Sequence, residues 1–450
     1  MHHSTDHGFR RQSSKSMSTN TTTFRSSSFV SDRISELPNN IINEILMRLP
    51  QKDAIRTSIL STKWRCKWLA VPQLVFDYPC NYKLSPTEKN KLAIAVYQAL
   101  LLHHGPLIKF SFSVSDLDHN NSSDINHWLH FLSKNGIEDF CLRIWTGERH
   151  KLPYHFYSFQ QLRLLNLYNC VFKPPSTFRG FEKLVKLELR NVVFAAERFG
   201  IFISNCPLLE ELTLENCPHF FCLRLSSPNL KYLSFHGSFD SVNFKNTPVL
   251  QVVSISLNGM AEIAKYFKDR KTSNLVEIAS SIPAIQDLAI ENYFLKFLAM
   301  GGVHNRLMKT LHHLRILHLS GICFEKIEEV SCALCLIRSS PNLENLTIKA
   351  LRETNAVMKP VVEHLRVEDF LDCSLDRLKI VKMQLIGGGQ TELELMKCLL
   401  ATSKRLEKLE IWPIQEKTFN RGFQILKELI RFRRASANAE ILYLDPELGK

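Results

Sequence analysis

One spaced pattern of apolar residues recurs along most of this 450-residue chain and narrows its possible folds more than any other feature. The pattern is apolar, two residues, apolar, one residue, apolar. It occurs at Leu162, Leu165 and Leu167, at Leu184, Leu187 and Leu189, and at Leu209, Leu212 and Leu214. It returns at Leu230, Leu233, Phe235; Leu250, Val253, Ile255; Ile285, Leu288, Ile290; Leu314, Leu317, Leu319; and Leu343, Leu346, Ile348. Two more copies are read at Leu375, Leu378, Ile380 and at Leu406, Leu409, Ile411, with looser versions at Leu107, Phe110, Phe112 and Ile137, Phe140, Leu142. Alternate residues of a strand point to opposite faces, so each copy specifies a short strand with one apolar side. A single such strand cannot bury that side. Stacked copies can, as neighbours in one continuous parallel sheet.

The intervals between copies match leucine-rich repeats and run somewhat beyond them. The expected fold is α/β: a right-handed, horseshoe-like solenoid. A Cys or Asn after the strand, as at Cys170 and Cys217, turns the chain outward, and "ISNCP", "LSSP" and "IRSSP" end the return segments before the next strand. Unrelated strands of an α/β enzyme are the competing reading. Outward strand positions would line the concave face. The candidate target-binding residues there are Tyr168, Lys186, Glu188, Arg190, Glu211, Tyr232, His236, His318, Lys349 and Trp412. Mixed charge interleaved with aromatics suits a protein partner better than a phosphate backbone.

The stretch "LPNNIINEILMRLPQKDAIRTSILSTKWRCKW", Leu37 to Trp68, has a different rhythm. Pro38 opens a helix whose Ile41, Ile42, Ile45, Leu46 and Leu49 form a broad apolar stripe, and Pro50 closes it. "QKDAIRTSIL" gives a second short helix, and Ser61 or Thr62 caps a third presenting Trp64 and Trp68 on one side. Three short helices in about forty residues lie at the limit of independent stability, so their apolar surface needs a cover from the repeats or from another protein.

Those residues carry a resemblance. The segment from Asp32 to Asp77 resembles the F-box of plant F-box proteins through its "LP…IL..LP..D.....LS..W...W" skeleton. "LDRLKIVKMQLIGGGQTELELMKCLLATSKRLEKLEIW" and, most specifically, "RASANAEI" are similar to the FBD domain that follows leucine-rich repeats in that family. The resemblance implies a substrate-recognition subunit of a cullin ubiquitin ligase, docked on a Skp-type adaptor and holding an unknown protein target. It places adaptor contacts at Leu37, Pro38, Ile41, Ile45, Leu46, Leu49 and Pro50. Ala54, Ser58, Leu60, Trp64 and Trp68 fall at positions shared between that contact and the unit's own packing. The implied organisation is a disordered tail over 1–30, the F-box over 31–77, the solenoid over 78–370 and an FBD-like region continuing the repeats over 371–446.

Composition sets the remaining bounds. No stretch is long and apolar enough to span a membrane. The first thirty residues, rich in Ser and Thr, lack the apolar core of a secretory signal, although an organelle transit peptide shares their bias. Twelve cysteines without such a signal point to free, buried thiols in a reducing compartment, nucleus or cytoplasm. The formal charge of +13 keeps a nucleic-acid-binding solenoid open as an alternative, but Lys and Arg are spread along the chain. A scaffold or inhibitor outside any ligase is the other alternative. The sequence has no G-x-S-x-G, P-loop, H-E-x-x-H or dinucleotide fingerprint. "GGGQ" at Gly387 to Gln390 reads as a turn between strand and helix, and Cys332 with Cys335 as two buried thiols on one helix. No metal, cofactor or catalytic residue is expected, and the chain is read as a non-catalytic subunit.

Overall fold

A computed structural model describes residues 33–49, 51–117, 119–194, 196–218, 222–239, 241–258, 274–300, 305–351, 375–414 and 419–445. Within them runs one sheet of fourteen strands, from Gln73–Asp77 to Glu440–Tyr443, every neighbouring pair parallel and in chain order. The central Leu-x-Leu residues set the register: Leu165 and Leu167 lie beside Leu187 and Leu189, and these beside Leu212 and Leu214. All six are fully buried. The residue before each strand locks the stack, because its carbonyl accepts two amides from the next repeat. Arg163 O takes the N–H groups of Val185 and Lys186 at 2.8 and 3.0 Å, and Glu344 O those of Lys379 and Ile380 at 2.9 and 3.2 Å.

After the strand the chain must bend sharply, and asparagine does it. Asn169, Asn191, Asn216 and Asn292 adopt φ between 50° and 59°, a left-handed conformation asparagine tolerates better than most side chains. Asn191 Nδ2 donates to Asn169 Oδ1 at 2.9 Å, so successive bends are tied together. The returns vary. Some are short parallel strands, His150–Lys151 beside Cys170–Phe172 beside Val193–Phe194. Others are helices such as Ile327–Arg338 and Gln390–Thr402.

Three readings are corrected. The copy at Leu375, Leu378 and Ile380 lies three residues early: Leu378, Val381 and Met383 occupy the buried positions, while Ile380 faces outward. Leu375 instead fills the turn before the strand, where Leu378 N–H bonds its carbonyl as Leu343 N–H bonds that of Ser340. Gln73–Asp77, inside the segment resembling an F-box, is the first strand of the sheet. The expected third helix is not α-helical. Trp64, Lys67 and Leu69 donate to carbonyls three residues back, giving linked turns and a 3₁₀ segment at Lys67–Ala70.

Two strands bulge at equivalent places, at Gly321 and at Leu385. Both residues have positive φ, 87° and 56°. A Cβ at Gly321 would meet Asn292 backbone atoms at 3.1–3.3 Å, so glycine is needed there. Leucine carries a left-handed penalty of about 1–2 kcal/mol. Leu385→Asn is therefore expected to stabilise the chain by about 0.5–1 kcal/mol, and Gly321→Leu to destabilise it by about 2 kcal/mol or more, read as opposite shifts of the urea midpoint.

His150 is 3% exposed and holds only Ser122 Oγ, at 3.0 Å from Nδ1. Burial lowers its pKa to about 4. On acidification the unfolded chain takes up this proton near pH 6.5, before the folded chain does, so the group's stabilisation is complete above that pH and is lost towards pH 4. The loss by pH 5 is about 2 kcal/mol. His150→Leu should flatten the urea midpoint between pH 7.5 and 5, and an unchanged slope would assign the acid sensitivity elsewhere.

Candidate functional site: the F-box surface and the open face of the sheet

The helix α1, Asn39–Met47, starts at Pro38, and its side chains at spacing four divide into two stripes. Ile42 and Leu46 turn inward to meet Ala54, Trp64 and Val71 in a small cluster separate from the main core. Ile41 and Ile45, one residue earlier and so about 100° around the helix, stay 41% and 37% exposed. Helix α2, Gln51–Arg56, and the 3₁₀ turn Thr57–Ile59 add Ile55 and Ile59, the latter 87% exposed, and Leu60 follows. Ile34 is exposed as well. An exposed apolar surface of this kind in so small a unit is a candidate interaction site.

The residues expected at an adaptor contact therefore separate by position. Pro38, Ile41, Ile45 and Leu60 are exposed, and Leu37, Leu49 and Ser58 are half-buried. Leu46 is 1% exposed, so it holds the unit together and offers no surface; Ala54 and Trp64 are buried with it. Trp68 packs against both this cluster and the main core, and Gln73 Nε2 donates to Met47 O at 2.7 Å. Pro50 lies outside the described residues. Ile34, Ile55 and Ile59 had not been singled out from sequence. Their signal was present: Ile55 and Ile59 are four apart in "AIRTSIL".

On the repeats, all ten expected face residues sit at outward strand positions, among them Tyr168, Tyr232, His236, His318, Lys349 and Trp412. Charge on this open face is largely paired across strands. Lys186 lies 3.1 Å from Glu188 and 2.9 Å from Glu211, and Arg190 lies 3.0 Å from Glu215. The hydrogen bond that Lys186 donates to Glu211, aided by Glu188, raises the Lys186 pKa against the opposing effect of burial. Lys382 meets Glu410 at 3.1 Å and stands 5.7 Å from the Trp412 ring. Such exposed pairs contribute little stability, but they remove the run of uncompensated cations that a phosphate backbone requires.

The remaining motifs resolve into structure. Gly387 to Gln390 links the strand Ile380–Ile386 to a helix. The Glu392 carboxylate accepts from Gly389 N at 2.8 Å, so the chain fills its own anion position there. A Cβ at Gly388 would come within 2.6 Å of Ile425. Cys332 and Cys335 are buried in one helix, and burial raises both thiols, Cys335 to about 11, which withholds the thiolate. Among the described residues no group of three His, Cys, Asp or Glu could hold a metal, and no helix is long and apolar enough to cross a membrane.

Comparison with known proteins now bears on the same segments. Family models match for the F-box domain over residues 34–73, for the LRR repeats of FBD-associated F-box protein At5g56370 over 125–348, and for the FBD over 369–411. The Arabidopsis thaliana F-box/FBD/LRR-repeat protein At1g13570 is 37% identical over 419 residues, covering 92% of this chain and 98% of its own length. The chain belongs to the F-box/FBD/LRR-repeat family. A second member, At5g56420 of the same plant, is 25% identical over 92% of this chain and 99% of its own. As an F-box/FBD/LRR-repeat protein, the chain carries its F-box on the helices that keep Ile41, Ile45 and Ile59 in solvent and its repeats on the parallel sheet.

Proposed function

We propose that this chain is the substrate-recognition subunit of an SCF-type cullin ubiquitin ligase. Its F-box docks on a Skp-type adaptor, and through it on a cullin, while the open face of the repeats holds a protein target. Catalysis belongs to the partners. This chain contributes proximity and orientation, which place a target lysine near the charged conjugating enzyme. The observation that carries the reading is the division of α1 into an inward stripe, Ile42 and Leu46, and an outward one, Ile41 and Ile45. The unit is folded by the first, and among the described residues the second is left partly open to solvent. The paired charges of the open face count against the nucleic-acid alternative.

The test is affinity purification of the full chain from plant cells. Adaptor and cullin are expected to co-purify, and the double substitution Leu37→Ala, Pro38→Ala is expected to remove both while the repeats stay folded. Recovery of neither partner with the unaltered chain would leave the scaffold reading in its place.

A further inference from the structure

Among the described residues, the half-buried cation of the open face that stands outside its ion-pair pattern is Arg143; Lys349 and Lys408 stand outside it too, but are exposed. Lys109 faces Asp139 at 3.2 Å, and Lys186 and Arg190 each contact two glutamates. The side chain of Arg143, on the strand Asp139–Ile144, has no hydrogen bond and no acid partner among the described residues, and its Nε is closed off from solvent. Its neighbours across the sheet are Ser113 and Tyr168. Trp145 Nε1 donates to Ser113 Oγ at 2.9 Å, and its ring centroid lies 4.9 Å from that of Tyr168. The indole thus reaches both flanking strands across the one that bears Arg143. Diagonal to Arg143 stands Asn166, 4% exposed. Its Nδ2 donates to Glu188 at 2.6 Å, and its Oδ1 is buried without a partner. Past Tyr168 the surface opens into a depression of about 490 Å3 bordered by Arg149, whose Nη2 bonds Asn191 Oδ1 at 2.7 Å.

We infer that this cluster anchors the target by taking the side-chain carboxylate of one aspartate or glutamate in an extended segment of the partner protein. The inference rests on the reading of the open face as the target surface and names the chemistry recognised there. A guanidinium half-withdrawn from water and left unpaired is unfavourable in the free chain. A carboxylate satisfies it through two parallel N–H···O bonds. The adjoining Trp145 and Tyr168 exclude water and, with arginine, are the residue types that dominate binding energy at interfaces. The nearby acids set the charge of the ligand: Asp116 is occupied by Lys89 at 2.8 Å, but Glu148 borders the depression, exposed. That balance fits a single negative charge and opposes a phosphate dianion.

The experiment selects a random dodecapeptide display library on the full-length chain. Selected peptides should share one Asp or Glu position, bind Arg143→Gln at least tenfold more weakly, and lose no further affinity there when the acid is replaced by its amide. Arg143→Met, which removes the unpaired charge, should melt no lower than the unaltered chain. Peptides without a shared acid, or acidic peptides indifferent to Arg143→Gln, would overturn the inference. So would tighter binding of a phosphoserine version, or a fall in melting temperature of Arg143→Met showing that the arginine merely supports the sheet. Adaptor capture by the same variants is measured separately. If the unaltered chain fails to capture adaptor while Arg143-dependent peptides are selected, the ligase reading falls and the anchor stands.

Discussion

Ile45→Asp, and with greater effect the pair Ile45→Asp and Ile59→Asp, is expected to weaken adaptor binding by a hundredfold or more without lowering the melting temperature of the chain. Ile59 stands almost entirely in solvent in the free protein and Ile45 is 37% exposed and outside the buried cluster, so replacing them removes little of the packing that holds the unit. Surface changes of that kind ordinarily shift stability by about 0.5 kcal/mol or less. In a docked interface the same positions become desolvated anchors, whose truncation costs about 2 kcal/mol or more each, and a buried unpaired carboxylate costs more than truncation. Leu46→Ala is the contrasting variant. Leu46 shares a cluster with Ile42, Ala54, Trp64 and Val71, and its deletion costs about 2–5 kcal/mol in a unit with little else to hold it. It should abolish adaptor capture as well, but by loosening the F-box, visible as protease sensitivity near residues 39–70 and as faster amide exchange in α1. Isothermal titration against purified adaptor, beside thermal melts, separates the two causes. Full binding by the Ile45→Asp, Ile59→Asp chain would place the adaptor contact on another surface and remove the argument from the outward stripe.

The repeat was legible because its signal is redundant. Leu165, Leu187 and Leu212 each repeat the same demand, and each neighbour's register depends on meeting it. Where redundancy fails, the reading slips. Leu375 and Leu378 are three apart and both buried, so either could begin the triplet, and only the pairing of Leu346 and Ile348 with Val381 and Met383 selects Leu378. The first strand was hidden for a related reason: Leu74 and Phe76 follow the F-box skeleton so closely that one motif masks the other. Within the F-box, five apolar positions on one broad stripe showed that the helix had to be covered, but not which of Ile41, Ile42, Ile45 and Leu46 its own chain would cover. That is decided by where Trp64 and Ala54 arrive, a long-range packing outcome. The unpaired state of Arg143 is of the same sort. Arg190 has Glu188 two residues earlier on the same face where Arg143 has Cys141, but whether a neighbouring strand supplies an acid, as Glu215 does for Arg190, depends on cross-strand register.

The second large effect is expected at Phe172, whose truncation to alanine should destabilise the chain by about 3–5 kcal/mol. Phe172 is fully buried in the short strand Cys170–Phe172, where a return segment crosses the back of the repeat. Its ring lies 4.9 Å from Phe194 in a stacked arrangement, 5.3 Å from Phe202 and 5.3 Å from Tyr157 at a steep angle. Further aromatic contacts join Phe156, Phe178, Phe181 and Phe199 to the same group. Rings packed edge to face add about 0.5–1.5 kcal/mol per pair beyond the area they bury, so the site loses both transfer energy and oriented contacts, and the surrounding large rings cannot collapse into the space. Phe172→Leu keeps most of the volume and should lose less than half as much. In a stacked array each repeat touches chiefly its neighbours, so the damage should be graded along the chain. Hydrogen exchange is expected to accelerate in the strands Leu164–Tyr168, Lys186–Arg190 and Glu211–Glu215, while Ile380–Ile386 and Lys408–Pro413 keep their protection. Uniform acceleration over all these strands would mean that the sheet unfolds as one cooperative body, and the nearest-neighbour picture of its stability would then have to be abandoned.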